Sequence, residues 1–493
     1  MKIELNRNSR ISLVQQIYEN LSDRIRSGIL NEEECLPSIR EMSKNLEVSF
    51  LTVVKAYDLL EQNNLVKRVQ GKGTFVKSHS IKCEKSKNTG SSYKWQLSVQ
   101  DYLPRTHFDT HYNSSDHSLQ FSLAAIAPSL LPNRYLENEI HIMLEKNPLI
   151  LSEYGPIQGD LDLRIAMKRT LKKQKINVSE KDILVTNGTQ QGIDLVARTF
   201  IGPGDVVIAE APTYPAALDI FRSRGASILP VPIDKNGIRT DILIKLCETK
   251  NPKLIYTIPN FHNPTGIVLS DDRREQLLTI AQEFQIIIIE DDPWSEIYYN
   301  EKPPNPIKSL DTKGNVIYLK GLSKTLIPGC RIGLLTADGT IFNRLVSSKM
   351  NADLGSPLLT QKALYPLFQS KRMEDHIKKL RTALKIRRDL VIKLLKKHMP
   401  EGVEWIEPKG GLNIWISIPE KWDTKQLLLE CQKKNLSFLP GFVCFSGEPE
   451  TNHLRLSFSY LNDKVLETGI IELCRILKEF LSVTPPENSR LIL

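Results

Sequence analysis

Gly321-Leu322-Ser323-Lys324-Thr325-Leu326-Ile327-Pro328-Gly329-Cys330-Arg331, written GLSKTLIPGCR, places one lysine in an apolar, turn-rich stretch, with a hydroxyl beside it and an arginine seven residues on. A lysine in such a setting is poised for chemistry rather than for solvation. Around it, strand-like runs alternate with helical ones: DILVTN, a helix from about Gln190, DVVIAE, a helix after Tyr214, SILPVPI, KLIYTIP, IIIIEDD and NVIYLKG. This alternation predicts βα units around a mostly parallel sheet, with ligands bound at loops by the strand ends. The segments fit one large α/β domain followed by a smaller C-terminal one from about residue 372.

Several loops add chemistry to that frame. In NGTQQG, Gly188 and Thr189 open a helix whose exposed N–H groups form an anion site; taken alone, small residues also simply cap helices. Tyr214 of EAPTYPAA follows a strand and is placed to stack on a planar ligand, although a lone loop tyrosine is commonly just half-buried. Asn263 lies in PNFHNPTG before a proline turn. IIIIEDDPW ends an apolar strand in three acids, more than a solvated strand end requires, so at least one carboxylate is expected in a ligand crevice. Pyridoxal phosphate needs all these parts: a lysine for a Schiff base, an acid for the ring nitrogen, and phosphate donors that include an arginine.

On these motifs, residues from about 118 onward resemble fold type I aminotransferases of the aspartate aminotransferase superfamily, especially the branch with aminoadipate and kynurenine aminotransferases. The resemblance implies that Lys324 is the Schiff-base lysine, Asp291 the partner of the pyridine nitrogen and Asn263 a donor to the ring hydroxyl. Tyr214 would stack on the ring, while Gly188, Thr189, Ser323 and Arg331 would bind the phosphate. Arg455 of HLRLSFS would take the α-carboxylate of an amino acid, a task suited to a bidentate guanidinium. Tyr154 of EYGPIQG resembles the tyrosine that reaches the neighbouring subunit's phosphate. The sequence departs from the pattern twice: Trp294 stands where a tyrosine donates to the cofactor's ring oxygen, and Gly321 replaces the first serine of Ser-x-Ser-Lys. Cofactor capture is expected to survive both changes; turnover is where they tell.

The first 77 residues read differently. Leu13, Ile17, Leu21 and Ile25 form a helical stripe. In LPSIREMSKNLEVS, Ser38 and Glu41 have capping-box spacing and start a short helix that runs to about Asn45. After a turn through Glu47 and Val48, Ser49 caps a second helix with Val53, Ala56, Tyr57 and Leu60 on its inner face. LVKRVQGKGTFVK then reads as a hairpin. A structural helical bundle with a basic hairpin is the plain alternative. The succession, with GKGTFV, closely resembles the winged helix-turn-helix of GntR-type transcription regulators. That resemblance sends the helix from Ser49 into the major groove, with Ser49, Leu51 and Thr52 near base edges and Arg40, Lys44, Lys55, Arg68 and Lys72 on phosphates.

Charge does not make the DNA case by itself. The formal net charge is +9 over 493 residues, and residues 1–77 carry 12 Lys and Arg against 10 Asp and Glu. Seven cysteines with no C-x-x-C pair argue against a disulfide framework or a metal site. No apolar run reaches the ~18 residues of a membrane span, and the N-terminus lacks a secretion-type apolar core, so the expectation is a cytoplasmic protein. Residues 78–117, polar and centred on KSKNTGSSYK, read as a linker able to span ~35 Å.

The expected fold class is therefore multidomain: an α+β winged helix over 1–77, then a fold type I aminotransferase-like α/β body over 118–493 that binds pyridoxal 5'-phosphate. Joined in this way, the halves have the architecture of MocR-type regulators. The resemblance implies a homodimer, double-stranded operator DNA as partner, and an amino acid or amine as effector. The alternatives are an active aminotransferase transferring an amino group to a 2-oxo acid, and a plain GntR-type repressor whose body is only a dimerisation scaffold.

Overall fold

The computed structural model describes residues 12–26, 30, 34–63, 65–69, 72–77 and 119–482; the expected linker lies outside them. The chain falls into two compact units divided near residue 100. In the first, α1 (Leu13–Arg26), α2 (Ile39–Leu46) and α3 (Phe50–Gln62) precede an antiparallel hairpin of β1 (Val66–Val69) and β2 (Gly73–Val76). The α1 stripe is buried at Ile17, Leu21 and Ile25, in one cluster with Val53, Ala56, Tyr57 and Leu60 of α3. The Ser38 hydroxyl accepts from the Glu41 N–H at 3.2 Å to start α2. The helix ends where Glu47 turns left-handed at φ 50°. The Tyr57 hydroxyl donates to the Pro37 carbonyl at 2.8 Å, fixing α3 against the entry to α2.

The second unit opens with β3 (Leu119–Gln120). Its main sheet has eight strands: β4 (Ile183–Thr186), β5 (Val206–Ala211), β6 (Ser227–Asp234), β7 (Gly237–Ile238), β8 (Leu254–Thr257), β9 (Ile287–Asp292), β10 (Val316–Gly321) and β11 (Gly333–Thr336). Their order is β4-β11-β10-β9-β8-β5-β6-β7. The central neighbours pair in parallel, and β11 runs antiparallel to both its partners. The central strands are buried on both faces, as parallel strands covered by helices must be, which is why they read as unbroken apolar runs. All the expected strand runs are strands; β11, four residues just past the lysine turn, is an addition.

A smaller layer follows the long helix Arg372–His398. Its strands are β12 (Glu404–Ile406), β13 (Asn413–Ser417), β14 (Leu436–Ser437), β15 (Leu439–Pro440) and β16 (His453–Ser457), with antiparallel order β12-β13-β16-β15. The separate β14 pairs in parallel with β3. Phe121, wholly buried, shares a cluster with Leu412 and Leu456. The chain just after residue 118 thus belongs to this layer as well, and that brings Ser122 to the site described below.

One buried arginine sets the loop that carries Asn263. Arg274, on the helix Asp271–Glu283, is wholly buried and donates to the Leu269 carbonyl (3.0 Å), the Pro259 carbonyl (3.2 Å), Asn260 Oδ1 (2.7 Å) and the Asn305 carbonyl (3.1 Å). It thereby clamps both ends of the 259–269 loop. Arg274→Ala leaves several buried acceptors unfilled and is expected to cost at least ~3 kcal/mol, read as a lowered urea midpoint. Arg274→Lys, which keeps the charge without the fork, recovers only part.

Candidate cofactor site and DNA-binding surface

The apolar strand β10 ends at Gly321, and the chain makes a single turn in which the Leu326 N–H donates to the Leu322 carbonyl at 2.8 Å. Leu322 and Leu326 anchor the turn in the core, which leaves Lys324 facing a cavity of about 230 Å³. The long helix braces the turn from behind, His376 Nε2 donating to the Thr325 carbonyl at 2.7 Å. Burial, with the nearby cations Arg455 and Arg331, holds the Lys324 amine down to about 8.

The three acids separate by strand alternation. Glu290 accepts from the Ile307 and Lys308 N–H groups, both at 2.8 Å, and is structural. Asp292, on the same face, is ion-paired with Lys320 at 3.1 Å, both side chains buried. Asp291, on the opposite face, lines the cavity, and its Oδ2 accepts from the Tyr256 hydroxyl at 2.8 Å. Its buried Oδ1 has no partner. Burial, with Asp292 adding to it, pushes the carboxyl up to about 7.

Arg455, on β16, reaches the cavity from the small layer. Its Nη1 donates to Asn263 Oδ1 at 3.0 Å and its Nη2 to the Ser122 carbonyl. The residue is 4% exposed, and its Nε has no hydrogen-bond partner. Across the cavity Gly188 caps the helix Thr189–Phe200 at φ 83°, and a Cβ there would stand 2.8 Å from Arg331 Nη2. Glycine therefore leaves room for the guanidinium beside a helix start. Arg331 Nη2 donates to the Asn187 carbonyl at 3.3 Å.

Of the residues chosen from sequence, Thr189, Tyr214, Asn263, Asp291, Lys324 and Arg455 line one cavity. Gly188 and Arg331 stand against each other, Gly188 directly before Thr189, and Ser323 lies half-buried in the lysine turn. Tyr154 is not on that wall; it is 88% exposed. Sequence reading missed Ser122, which sits in a run without a motif, and Tyr256, whose hydroxyl after the apolar Leu254 and Ile255 was a usable signal. It also missed a buried pair in which His262 Nε2 lies 3.1 Å from Glu210. Trp294, which stands where the family has a cofactor-bonding tyrosine, donates its N–H to the Phe261 carbonyl at 2.7 Å. A larger cavity of about 390 Å³, lined in part by Gln174, Glu296 and Arg381, holds none of the chosen residues.

These groups fit pyridoxal phosphate. A buried amine, an unfilled carboxyl oxygen, a buried guanidinium without a carboxylate, and a helix start beside an arginine match its aldehyde, its ring nitrogen, an attached carboxylate and its phosphate.

In the first unit Arg40, Lys44, Lys55 and Lys72 are exposed, as phosphate contacts require. Arg68, expected on a phosphate, has its guanidinium 2.6 Å from Asp58 and 3.5 Å from Glu61, which ties the hairpin to α3. Ser49 Oγ accepts from the Thr52 N–H at 3.1 Å and shares a 2.7 Å hydrogen bond with the Thr52 hydroxyl. Leu51 is 67% exposed. Among the described residues no group of His, Cys, Asp and Glu could hold a metal ion, and no helix is long and apolar enough to cross a membrane.

The aminotransferase class I and II family model matches residues 127–472. This chain belongs to that family. The model for bacterial regulatory proteins of the gntR family matches residues 13–76. An aromatic-amino-acid aminotransferase of Thermococcus litoralis is 35% identical over 72% of this chain and 86% of its own length. The likeness to the HTH-type transcriptional regulator YdfD of Bacillus subtilis runs further, 31% identical over 95% of this chain and 97% of the regulator. Among solved structures, the α-aminoadipate aminotransferase LysN of Thermus thermophilus, complexed with N-(5'-phosphopyridoxyl)-L-leucine, has a TM-score of 0.73 at 28% identity. It covers 79% of this chain and 98% of its own. Together the two matched domains give the architecture of MocR-type regulators.

Two outcomes follow for this aminotransferase-family site. With Lys324 near 8, capture of pyridoxal phosphate by the cofactor-free chain accelerates as pH rises, levelling off above about 8, because only the neutral amine attacks. In Arg455→Ala the midpoint moves upward, both followed by absorbance. Gly321→Ser restores the family hydroxyl, but its Cβ would lie 3.2 Å from Pro293 Cα and 3.3 Å from Thr189 Cγ2. It is expected to destabilise by ~1–3 kcal/mol in urea titrations without tightening cofactor binding.

Proposed function

We propose that the protein is a transcription regulator that binds operator DNA through α3 and the β1–β2 hairpin. Its aminotransferase-like body responds to pyridoxal phosphate, alone or combined with an amino acid or amine. The observation that carries this reading is one chain joining a gntR-family domain to a body with the cofactor-holding groups in place, matched end to end by a relative named as a regulator.

Bound pyridoxal phosphate supplies an electrophilic carbon for amines and an electron-withdrawing ring. The chain's own groups hold it. Lys324 Nζ, balanced between protonated and neutral forms near physiological pH, would hold the aldehyde carbon. Asp291 Oδ1 would take the proton-bearing ring nitrogen, and a carboxylate on the amino compound would give Arg455 an anion. Gly188, Thr189, Ser323 and Arg331 would receive the phosphate, while Tyr214 would cover the ring. The active aminotransferase is the alternative; the end-to-end likeness to a regulator and the commitment of the Trp294 N–H to Phe261 count against it.

The working form in this reading is a cytoplasmic homodimer. Tyr154 is 88% exposed, with Leu149 at 66% and Leu151 at 67% beside it, and so much apolar surface in one short run suits a subunit interface.

The test is operator affinity of the full chain, measured by fluorescence anisotropy with and without pyridoxal phosphate and a panel of amino acids. A shift of ~5 to 150-fold is expected, the range of ordinary allosteric coupling. In Lys324→Ala the response vanishes while binding without ligand persists. Unchanged affinity in a chain whose absorbance proves the cofactor bound defeats the sensor reading, and sustained amino-group transfer establishes the enzyme instead.

A further inference from the structure

The leading end of α3 presents apolar groups where a DNA reader ordinarily presents polar ones. Phe50 is 50% exposed and Leu51 is 67% exposed, although α3 buries a full stripe of Val53, Ala56, Tyr57 and Leu60 behind them. At ~3.6 residues per turn, Leu51 falls opposite that stripe and in line with Lys55. The hydroxyls at this end are already engaged: Ser49 Oγ caps the helix through the Thr52 N–H and is hydrogen-bonded to the Thr52 hydroxyl.

The surroundings favour a nucleic acid over a protein surface. Arg40, Lys44, Lys55 and Lys72 are exposed. The acids on α3, Asp58 and Glu61, share Arg68, and the one negative charge left over is balanced on the same helix by the exposed Lys55. Of the four bases, only thymine offers an apolar group in the major groove, its C5-methyl.

We infer that Phe50 and Leu51 read the operator by packing against thymine C5-methyl groups, while the surrounding cations position the helix on phosphates. This rests on the DNA-binding reading above and deepens it. The shared hydrogen bond leaves Ser49 and Thr52 a single free O–H between them for polar readout; apolar readout requires no rearrangement and removes two exposed hydrophobic side chains from water.

The experiment uses the full chain and a duplex that it selects from a random-sequence pool. Each thymine of that duplex is replaced in turn by uracil, which removes only the methyl. At one or two positions binding is expected to weaken about fourfold, the effect of returning one methyl group to water. Leu51→Ala or Phe50→Ala is expected to bind the thymine and uracil forms alike at such a position, with an unchanged salt slope because the phosphate contacts remain. Tolerance of uracil at every position overturns the inference and leaves DNA binding intact. So does a thymine preference that survives both substitutions. If no duplex is selected at all, the DNA-binding reading fails and the inference falls with it.

Discussion

A buried guanidinium that makes no ion pair among the described residues governs the cavity of the second unit. Arg455 is held by Asn263 Oδ1 and the Ser122 carbonyl, neither of which carries charge, and its Nε is left over. Taking such a cation out of water is costly unless an anion meets it. The cost spreads to Lys324, whose protonated form is disfavoured first by burial and then by Arg455 and Arg331. Asp291, the nearby acid on the wall, lies under the same constraint from the other side, its carboxyl pushed towards neutrality by burial. The cavity therefore stores unfavourable electrostatics that a ligand with a carboxylate, a phosphate and a protonated ring nitrogen relieves at once.

That storage is also mechanical. Asn263 belongs to the main α/β layer, Arg455 to the small one, and Ser122 to the segment that β3 joins to the small layer. Three separate stretches of chain meet at one guanidinium. A ligand carboxylate that draws Arg455 towards it alters the balance among all three, whereas one without an anionic group leaves them as they are. A conformational response requires a ligand that binds two arrangements differently, and in the proposed reading this guanidinium is where that difference would arise.

What was legible in the sequence follows from which forces are local. The strands announced themselves because strands covered on both faces must be apolar throughout, and α2 and α3 because Ser38 and Ser49 cap them through their own neighbours. Lys324, Asp291 and Asn263 stood out because each sits at a turn or strand end with an unusual residue type. Contacts between distant stretches left no such trace. Ser122 reaches the cavity through a carbonyl, which every residue has. Nothing in the polar run SDDRREQ marks Arg274 as a buried arginine with four acceptors. Arg68 was read only as a phosphate contact because nothing in LVKRVQ tells that Asp58 and Glu61 lie beside it.

The two departures from the aminotransferase pattern acquire a common meaning from packing. Trp294 fills core space and spends its N–H on Phe261, and Gly321 has Pro293 and Thr189 at the distance where another side chain would need room. Neither position then supplies a ligand contact that could strengthen as a reaction proceeds: the Trp294 N–H is committed to the protein, and Gly321 has no hydroxyl. Uniform contacts bind a ligand without accelerating its chemistry. Lys324, Asp291 and Arg331, by contrast, are what simple retention of the cofactor needs. A site that keeps its anchors while trading such a donor for static packing is suited to reporting which amino compound is present, and its unpaired Arg455 gives that report a physical consequence.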